Sequence, residues 1–343
     1  MNNTIDNVIT NSQTISKKKV SKEEIKKIIE QFYNSILNNK DAIMLTNEID
    51  IKNSNGFKLN FNIIDRIFKN IQKESIYCGE TIYTERNDEK KFIYGKYLTS
   101  KGTILTINEG NTYIILEMIL KNIIANNIHI INTPGYMYGT NNFLIVILQT
   151  ILEKNGYSKY QTQIFNSETC EDLLKRYTSI DLVVCIGNHN LQMFVRNHCK
   201  NELILSGYEH FDIYLETTKF MKLINKIINQ NVPIQFYINK KINVEIENAI
   251  IVDDIEEAVA QMNFNGNGYS TAIFTEDNAS ACYFLENIKS KIQTINTSPT
   301  IERICDINQQ SLMSEKIIIF PIGNFSDRLE FYATNMIKEN KTR

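Results

Sequence analysis

The apolar and polar positions divide the chain into a helical beginning and a long alternation of short strands and helices. Ser21 and Glu24 have the spacing of a capping box, which marks the start of a helix. The residues behind it repeat apolar side chains at helical spacing, namely Ile25, Ile28, Ile29, Phe32, Ile36 and Leu37. A second helix is predicted over 61–71, and the polar residues 1–20 are predicted to be a disordered tail.

Residues 81–97 are predicted to form two strands around a charged turn. This hairpin is either an arm used for oligomerisation or a plain surface hairpin. From Gly102 onward strands and helices alternate, with strands at 103–107, 128–131, 162–165, 181–186 and 203–205 and helices at 113–125, 142–154, 171–177 and 191–198. This order predicts an α/β fold with an open, mostly parallel, Rossmann-like sheet covered on both faces. Because such sheets bind ligands at the carboxyl ends of their strands, the loops 132–140 and 187–190 are candidate site loops.

The later part of the chain has weaker patterns. Residues 217–248 predict one helix over 219–228 and strands over 234–238 and 242–246. Residues 266–299 predict a turn, a strand, an amphipathic helix and a second strand, and a last strand is expected at 317–320.

Composition narrows the classes of function. The 343 residues carry a formal net charge of −2 and 43% hydrophobic side chains, which gives no electrostatic reason to expect nucleic acid or a membrane as partner. The six cysteines form no CxxC pair and match no zinc spacing, so no metal site is predicted. With no apolar leader pattern at the start, we expect a reduced, cytoplasmic protein.

Several segments resemble the aldehyde dehydrogenase superfamily, most closely γ-glutamyl phosphate reductase. The clearest is Gly266–Pro299, GNGYSTAIFTEDNASACYFLENIKSKIQTINTSP, which is similar to the glycine turn, Ala-Ile-(hydrophobic)-Thr strand, acidic helix start and closing strand of that family. Weaker matches follow in the family's order, namely Gly102–Leu105, Ile131–Gly139, Asn155–Tyr157, Asp181–Asn190 and Ser206–Glu216.

The resemblance implies a division of the chain. It predicts a tail at 1–20, a helical region at 21–80, a nucleotide-binding-type α/β domain at 81–215, a much reduced catalytic domain at 216–250, and a return to the α/β domain with oligomerisation strands at 251–330. In the family a cysteine thiolate attacks an acyl or aldehyde carbon, and a nicotinamide exchanges hydride. The segment where that cysteine is expected, 217–248, is below the roughly 50-residue size of an independent domain and contains no cysteine.

One other thiol is a candidate. Cys199 has basic neighbours in RNHCK, which would lower its pKa if they faced the sulfur, although consecutive helical residues do not share a face. Cys185 lies in the apolar run LVVCI and is expected to be an ordinary buried side chain.

The resemblance also implies NADP or NAD as cofactor, and it assigns the contacts. Tyr136 stands near the position of the family's ribose-binding lysine, and Gly187, Asn188 and His189 stand at its phosphate turn. Tyrosine brings no positive charge, and side chains after Gly187 obstruct a pyrophosphate, so binding of no nucleotide is the alternative.

Three functions remain open from the sequence. The first is a non-catalytic member of the superfamily, a pseudoenzyme that assembles as a homo-oligomer or with a partner enzyme subunit. The second is a divergent NAD(P)H-dependent reductase of a small acyl phosphate, thioester or aldehyde. The third is a subunit that completes a neighbouring enzyme's site.

Overall fold

The computed structural model of the chain describes residues 5–15, 21–52, 58–74, 77–89, 92–166, 171, 174, 179–187, 189–206, 211–228, 234–266, 268, 270–299 and 307–321. Its helices are α1 (Ile5–Gln13), α2 (Lys22–Asn38), α3 (Lys40–Lys52), α4 (Phe61–Glu74), α5 (Thr112–Ile124), α6 (Tyr138–Lys154), α7 (His189–His198), α8 (Met221–Ile228), α9 (Ile255–Asn265) and α10 (Asn278–Asn287). Its strands are β1 (Thr81–Asn87), β2 (Phe92–Ser100), β3 (Thr103–Asn108), β4 (Ile128–Asn132), β5 (Thr162–Phe165), β6 (Leu182–Ile186), β7 (Leu203–Ser206), β8 (Phe211–Leu215), β9 (Ile234–Asn239), β10 (Ile250–Val252), β11 (Ser270–Phe274), β12 (Ile292–Ile295) and β13 (Met313–Pro321).

The chain divides into two compact units. The first comprises 1–184, 199–203 and 307–343, and the second comprises 185–198 and 204–306. A five-stranded sheet in the order β5-β4-β3-β6-β7 and a three-stranded sheet in the order β1-β2-β13 account for eight strands. The other five strands form the sheet of the second unit, in the order β10-β9-β8-β11-β12.

The helix α2 begins at the capping box that the sequence predicts. The Ser21 side chain accepts a hydrogen bond from the backbone N–H of Glu24, and the Glu24 carboxylate accepts one from the N–H of Ser21. This capping box satisfies two backbone donors that a helix start otherwise leaves without a partner. The predicted apolar stripe is buried in five positions, namely Ile25, Ile28, Ile29, Phe32 and Ile36.

The tail differs from the prediction. Part of it, α1, is a helix whose Val8 and Ile9 are buried. Gln163 on β5 fixes this helix, because its Nε2 donates to the Val8 carbonyl at 3.1 Å. Tertiary contacts therefore order a segment whose polar composition favours disorder.

The first five-stranded sheet agrees with the prediction. β3, β4 and β5 pair in parallel, and β4 is buried along its whole length. α5 and α6 carry buried apolar side chains along nearly their whole length, as expected for helices that cover a parallel sheet. The expected helix over 171–177 lies almost entirely outside the described residues.

The second unit is larger than the predicted remnant. β8 pairs in parallel with both β9 and β11, β9 pairs with β10, and β11 pairs with β12. The strands of 250–295 therefore join β8 and β9 in a sheet of their own and do not return to the first sheet. The strand expected at 242–246 is absent there, since these residues are irregular apart from a bend at Ile242.

The antiparallel sheet agrees with the expected hairpin and last strand. β1 pairs with β2, and β13 pairs with the other edge of β2 over nine residues, from Met313 opposite Ser100 to Pro321 opposite Phe92. The α/β class with parallel sheets and an N-terminal helical region is confirmed.

Candidate functional site

The loops that follow the strands of the first sheet lie at its carboxyl edge, where the sequence predicts that a ligand binds. Asn108 ends β3, and its side chain joins two loops, donating to the Asn132 carbonyl at 3.0 Å and accepting from the Gly110 N–H at 2.6 Å. Gly110 has φ of +89°, which favours glycine, and a Cβ there would lie 3.0 Å from the Met137 side chain. The loops after β3 and β4 are therefore packed closely against each other.

Tyr136 lies in the loop after β4, as the sequence predicts. Its hydroxyl donates to the Glu109 carbonyl at 2.5 Å, and its ring is 44% exposed. Partial burial, followed by the nearby Glu109 carboxylate, raises the pKa of Tyr136 above its ordinary value of 10.0. The side chain is neutral at ordinary pH, and its proton is already engaged in closing the two loops.

Buried polar atoms also lie at this edge. Thr112 Oγ1, Asn132 Nδ2 and Asn141 Oδ1 are shielded from solvent and have no hydrogen-bond partner in the described part of the chain. Asn141 uses its amide nitrogen on Thr133 Oγ1 at 3.1 Å. Because these atoms are covered, none of them is presented to a ligand in solution.

The charges at this edge bear on whether a dinucleotide fits. Among the described residues that follow β3, β4, β5 and β6 at this edge there is no lysine or arginine, and Glu109 adds a negative charge. A pyrophosphate is normally held by cationic side chains or by free backbone N–H groups at a helix start. The side chains described here do not supply that positive charge.

The predicted phosphate turn follows β6. Gly187 donates its N–H to the Ser206 carbonyl at 3.1 Å and accepts from Gln192 Nε2 at 2.8 Å. α7 begins at His189, so a helix start lies where the sequence predicts it. Asn188 and the His189 side chain lie outside the described residues.

Cys199 lies at the amino end of β7, at the edge of the first sheet opposite the predicted phosphate turn. The backbone of β7 follows β6 in parallel, with Val183 N donating to Glu202 O at 2.8 Å. Cys199 precedes β7 at its amino end, whereas Gly187 follows β6 at its carboxyl end. The intervening helix α7 has ten residues, which corresponds to a length of roughly 15 Å.

The environment of Cys199 bears on whether its thiol is activated. Burial raises the pKa of its thiol above the ordinary 9.0, and its hydrogen bond with Asn201 opposes this shift. Its basic neighbours do not produce a lowered pKa, in agreement with the expectation that consecutive helical residues do not share a face. Of the other described cysteines, Cys185 is fully buried, Cys282 is exposed on α10, and Cys78 is half-buried.

A second polar cluster, which the sequence did not single out, lies at the carboxyl edge of the second sheet. Glu216 follows β8 and accepts hydrogen bonds from the hydroxyls of Thr275 and of Ser280, the latter at 3.1 Å. Asp277 caps α10 by accepting from the N–H groups of Ala279 and Ser280, which lowers its pKa. The local signal was the Thr-Glu-Asp run at the end of a strand pattern.

Ion pairs balance the outer carboxylates of this edge. Lys219 Nζ lies 2.5 Å from Glu276 Oε1, and Lys240 Nζ lies 2.9 Å from Asp253 Oδ1. The hydrogen bond from Lys219 is the main cause of the lowered pKa of Glu276. The described residues at this edge thus offer carboxylates, hydroxyls and ammonium groups but no thiol.

The described residues contain neither a cluster of metal-binding side chains nor a membrane-spanning helix. No group of three or more histidine, cysteine or acidic side chains is arranged to hold a metal ion. None of the helices in the described ranges combines the length and apolar character needed to cross a bilayer.

The chain contains two parallel five-stranded sheets and the antiparallel sheet β1-β2-β13. Its fold is that of the aldehyde dehydrogenases. γ-Glutamyl phosphate reductase from Thermotoga maritima is similar over 93% of this chain and 100% of that one, with 14% identity and a TM-score of 0.63. An acetylating aldehyde dehydrogenase from Geobacillus thermoglucosidasius is similar over 94% and 97%, with 12% identity and a TM-score of 0.71.

Glyceraldehyde-3-phosphate dehydrogenase from Methanocaldococcus jannaschii, solved in complex with NADP, is similar over 92% of this chain and 93% of that one. Its identity is 11% and its TM-score is 0.69. No family model and no curated protein sequence matches this chain. The likeness is therefore one of fold.

Proposed function

We propose that this chain is a subunit of aldehyde dehydrogenase fold that does not perform cysteine-dependent catalysis and acts by assembly with copies of itself or with a partner enzyme. The observation that carries this proposal is the second sheet, whose described carboxyl edge holds Glu216, hydrogen-bonded by the hydroxyls of Thr275 and Ser280, and no thiol. The segment 217–248, where the resemblance places the nucleophile, contains no cysteine.

Two of the described cysteines, Cys185 and Cys199, support the same proposal. A nucleophilic cysteine needs a lowered pKa and access to substrate. Cys185 has no exposed surface, and burial raises the pKa of Cys199. Neither has the properties of an activated thiol.

Assembly through strand edges is part of the proposal. β1 and β13 are the two outer strands of the antiparallel sheet. Ile317 and Ile319 of β13 are 54% and 62% exposed. Exposed apolar side chains on an edge strand favour pairing with another chain.

The alternative function is a divergent NAD(P)H-dependent reductase of a small acyl phosphate, thioester or aldehyde. The observation that favours it is the retained helix start after Gly187 at the carboxyl end of β6, together with the similar protein solved with NADP. In this alternative the start of α7 would bind the phosphates. A bound nicotinamide would supply the hydride.

Two measurements on the purified chain separate these functions. Thermal unfolding is followed with NAD, NADH, NADP and NADPH, and NAD(P)H oxidation is followed with small aldehydes and acyl phosphates. We expect no turnover, and the same null result for Cys199→Ser. A ligand at about one hundred times its Kd stabilises by about 2.7 kcal/mol, so bound cofactor would raise the melting temperature by several degrees.

Turnover that one cysteine-to-serine substitution abolishes would overturn the proposal and establish the reductase. A cofactor-dependent rise in melting temperature without turnover would keep the non-catalytic proposal and add a nucleotide ligand to it. Light scattering tests assembly separately, with the Ile317→Lys and Ile319→Lys double variant expected to lower the oligomer mass.

A further inference from the structure

A concave cavity lies along α6. Its volume is about 460 Å³ and it is formed by α6 together with the end of α2. That volume lies in the range of roughly 300–1,000 Å³ that is typical of small-molecule pockets. All of its lining residues belong to the first unit.

The floor of the cavity is an apolar stripe that the described part of the chain covers only in part. α6 buries Leu144 and Leu148 completely. Its other face presents Phe143, Val146 and Ile147 to the cavity, and Val146 is 50% exposed. A helix that is apolar on both faces is normally covered on both. An apolar group in this cavity would remove that stripe from water.

The positive charge of Lys154 in the lining indicates that the polar end of a ligand would be anionic. Lys154 is the one charged residue among those that line the cavity, all of which are described. No carboxylate among the lining residues neutralises it, while the adjacent Glu153 pairs outside the lining with Lys159 at 3.4 Å. Ser35 and Asn39 add a polar rim from the α2 side.

We propose that this cavity binds a medium-chain carboxylate, with the alkyl chain along α6 and the carboxylate at Lys154. From Phe143 to Lys154 the helix rises roughly 16 Å, so the apolar floor and the cation are arranged in line. A linear amphiphile matches this arrangement because it carries one apolar end and one anionic end. The site is independent of the function proposed above.

Decanoate is the probe, titrated into the full chain by calorimetry below its micellar concentration. Decyltrimethylammonium, which has the same chain with a cationic head, is the matched control ligand. We expect saturable binding of decanoate and at least tenfold weaker binding of the cationic probe.

Three variants test the two ends of the site. Lys154→Glu should weaken decanoate binding by about fivefold or more, in line with a solvent-exposed charge contact. Val146→Asp places a like charge on the floor and should abolish binding. Lys200→Glu, an exposed reversal outside the cavity, should bind as the wild type does. Lys154 is itself exposed, so its variant tests the proposal if Val146→Asp does not fold.

The proposal is overturned if decanoate shows no saturable binding, if the cationic probe binds equally well, or if Lys154→Glu binds with unchanged affinity. Light scattering on Val146→Asp tests whether a second copy of the chain occupies the cavity instead of a small ligand. If this substitution dissociates an oligomer while the wild type does not bind decanoate, the cavity is an interface between copies, and the ligand proposal is wrong.

Discussion

His129 should make the first unit sensitive to acid. Its side chain on β4 is fully buried, and its Nε2 lies 2.8 Å from Thr106 Oγ1. Its Nδ1 has no partner among the described residues. Burial lowers the pKa of His129 from 6.5 to about 3, because the cation would lose its hydration without gaining a partner.

The direction of the pH dependence of stability follows from the pKa values of His129 in the unfolded and folded protein. The unfolded imidazole takes up a proton below pH 6.5, whereas the folded one stays neutral down to about pH 3. The stability that depends on a neutral His129 is therefore complete above pH 6.5 and is lost as the pH falls toward 3. At 1.36 kcal/mol per pKa unit, the loss between about pH 7 and about pH 5 is about 2 kcal/mol.

Urea unfolding at several pH values measures this effect as a difference between wild type and variant. The variant His129→Leu with Thr106→Val removes both hydrogen-bonding partners, so that neither is left buried alone. We expect the wild type to lose about 2 kcal/mol more than the variant between about pH 7 and about pH 5. Equal losses in both proteins would refute the assignment of the acid sensitivity to His129.

Three further predictions follow from buried or strained positions. Burial raises the pKa of Asp212 from 3.8 to about 7. The stability that depends on a protonated Asp212 is therefore complete below pH 3.8 and is lost as the pH rises toward 7. In urea unfolding, Asp212→Asn should gain stability relative to wild type over that range. Asp50 accepts from the Thr140 N–H at 2.7 Å and its hydroxyl at 2.6 Å, so Asp50→Ala should lower the unfolding free energy by about 1–2 kcal/mol. Gly102 has φ of +134°, and a Cβ would lie 1.9 Å from Asp181 Oδ2, so Gly102→Ala should cost more than the ~1 kcal/mol of an unhindered left-handed position by thermal unfolding.

Matched controls accompany these substitutions. Asp41→Ala, at an exposed position on the same helix as Asp50, should change the unfolding free energy by less than about 0.5 kcal/mol. Gly156 has φ of +76° with no atom within 4 Å of an added Cβ, so Gly156→Ala should cost clearly less than Gly102→Ala. Equal costs would contradict the steric clash predicted between an added Cβ at Gly102 and Asp181. A stability difference between Asp212→Asn and wild type that does not vary with pH would contradict the raised pKa of Asp212.

Local patterns predicted single elements well where a local interaction defines them. The capping box at Ser21 and the stripe behind it specified α2, because both signals lie within one helix. The strands 234–239 and 270–274 were also recognisable from their apolar runs. Their pairing with β8 in a second sheet was not, because parallel pairing depends on contacts between distant segments.

The candidate site was predictable to a similar extent. Tyr136 and Gly187 follow strand ends as expected, since a strand pattern with a loop after it fixes that placement. The bond from Tyr136 to Glu109 and the raised pKa of Cys199 depend on burial and on neighbours distant in sequence. α1 was missed for the same reason, because the burial of Val8 and Ile9 depends on contacts with residues distant in sequence.

The pairing of β2 with β13 has a consequence for synthesis of the protein. Thr99 and Ser314, which are hydrogen-bonded across these strands, lie 215 positions apart. At about 5–20 residues per second, the ribosome needs on the order of ten to forty seconds to make the intervening chain. During that time the nascent chain carries β2 without its second neighbour, as an open strand edge on which chaperones or other nascent chains can act. The pairing of β2 with β13 can thus be completed only late in translation, after β13 has emerged from the ribosome.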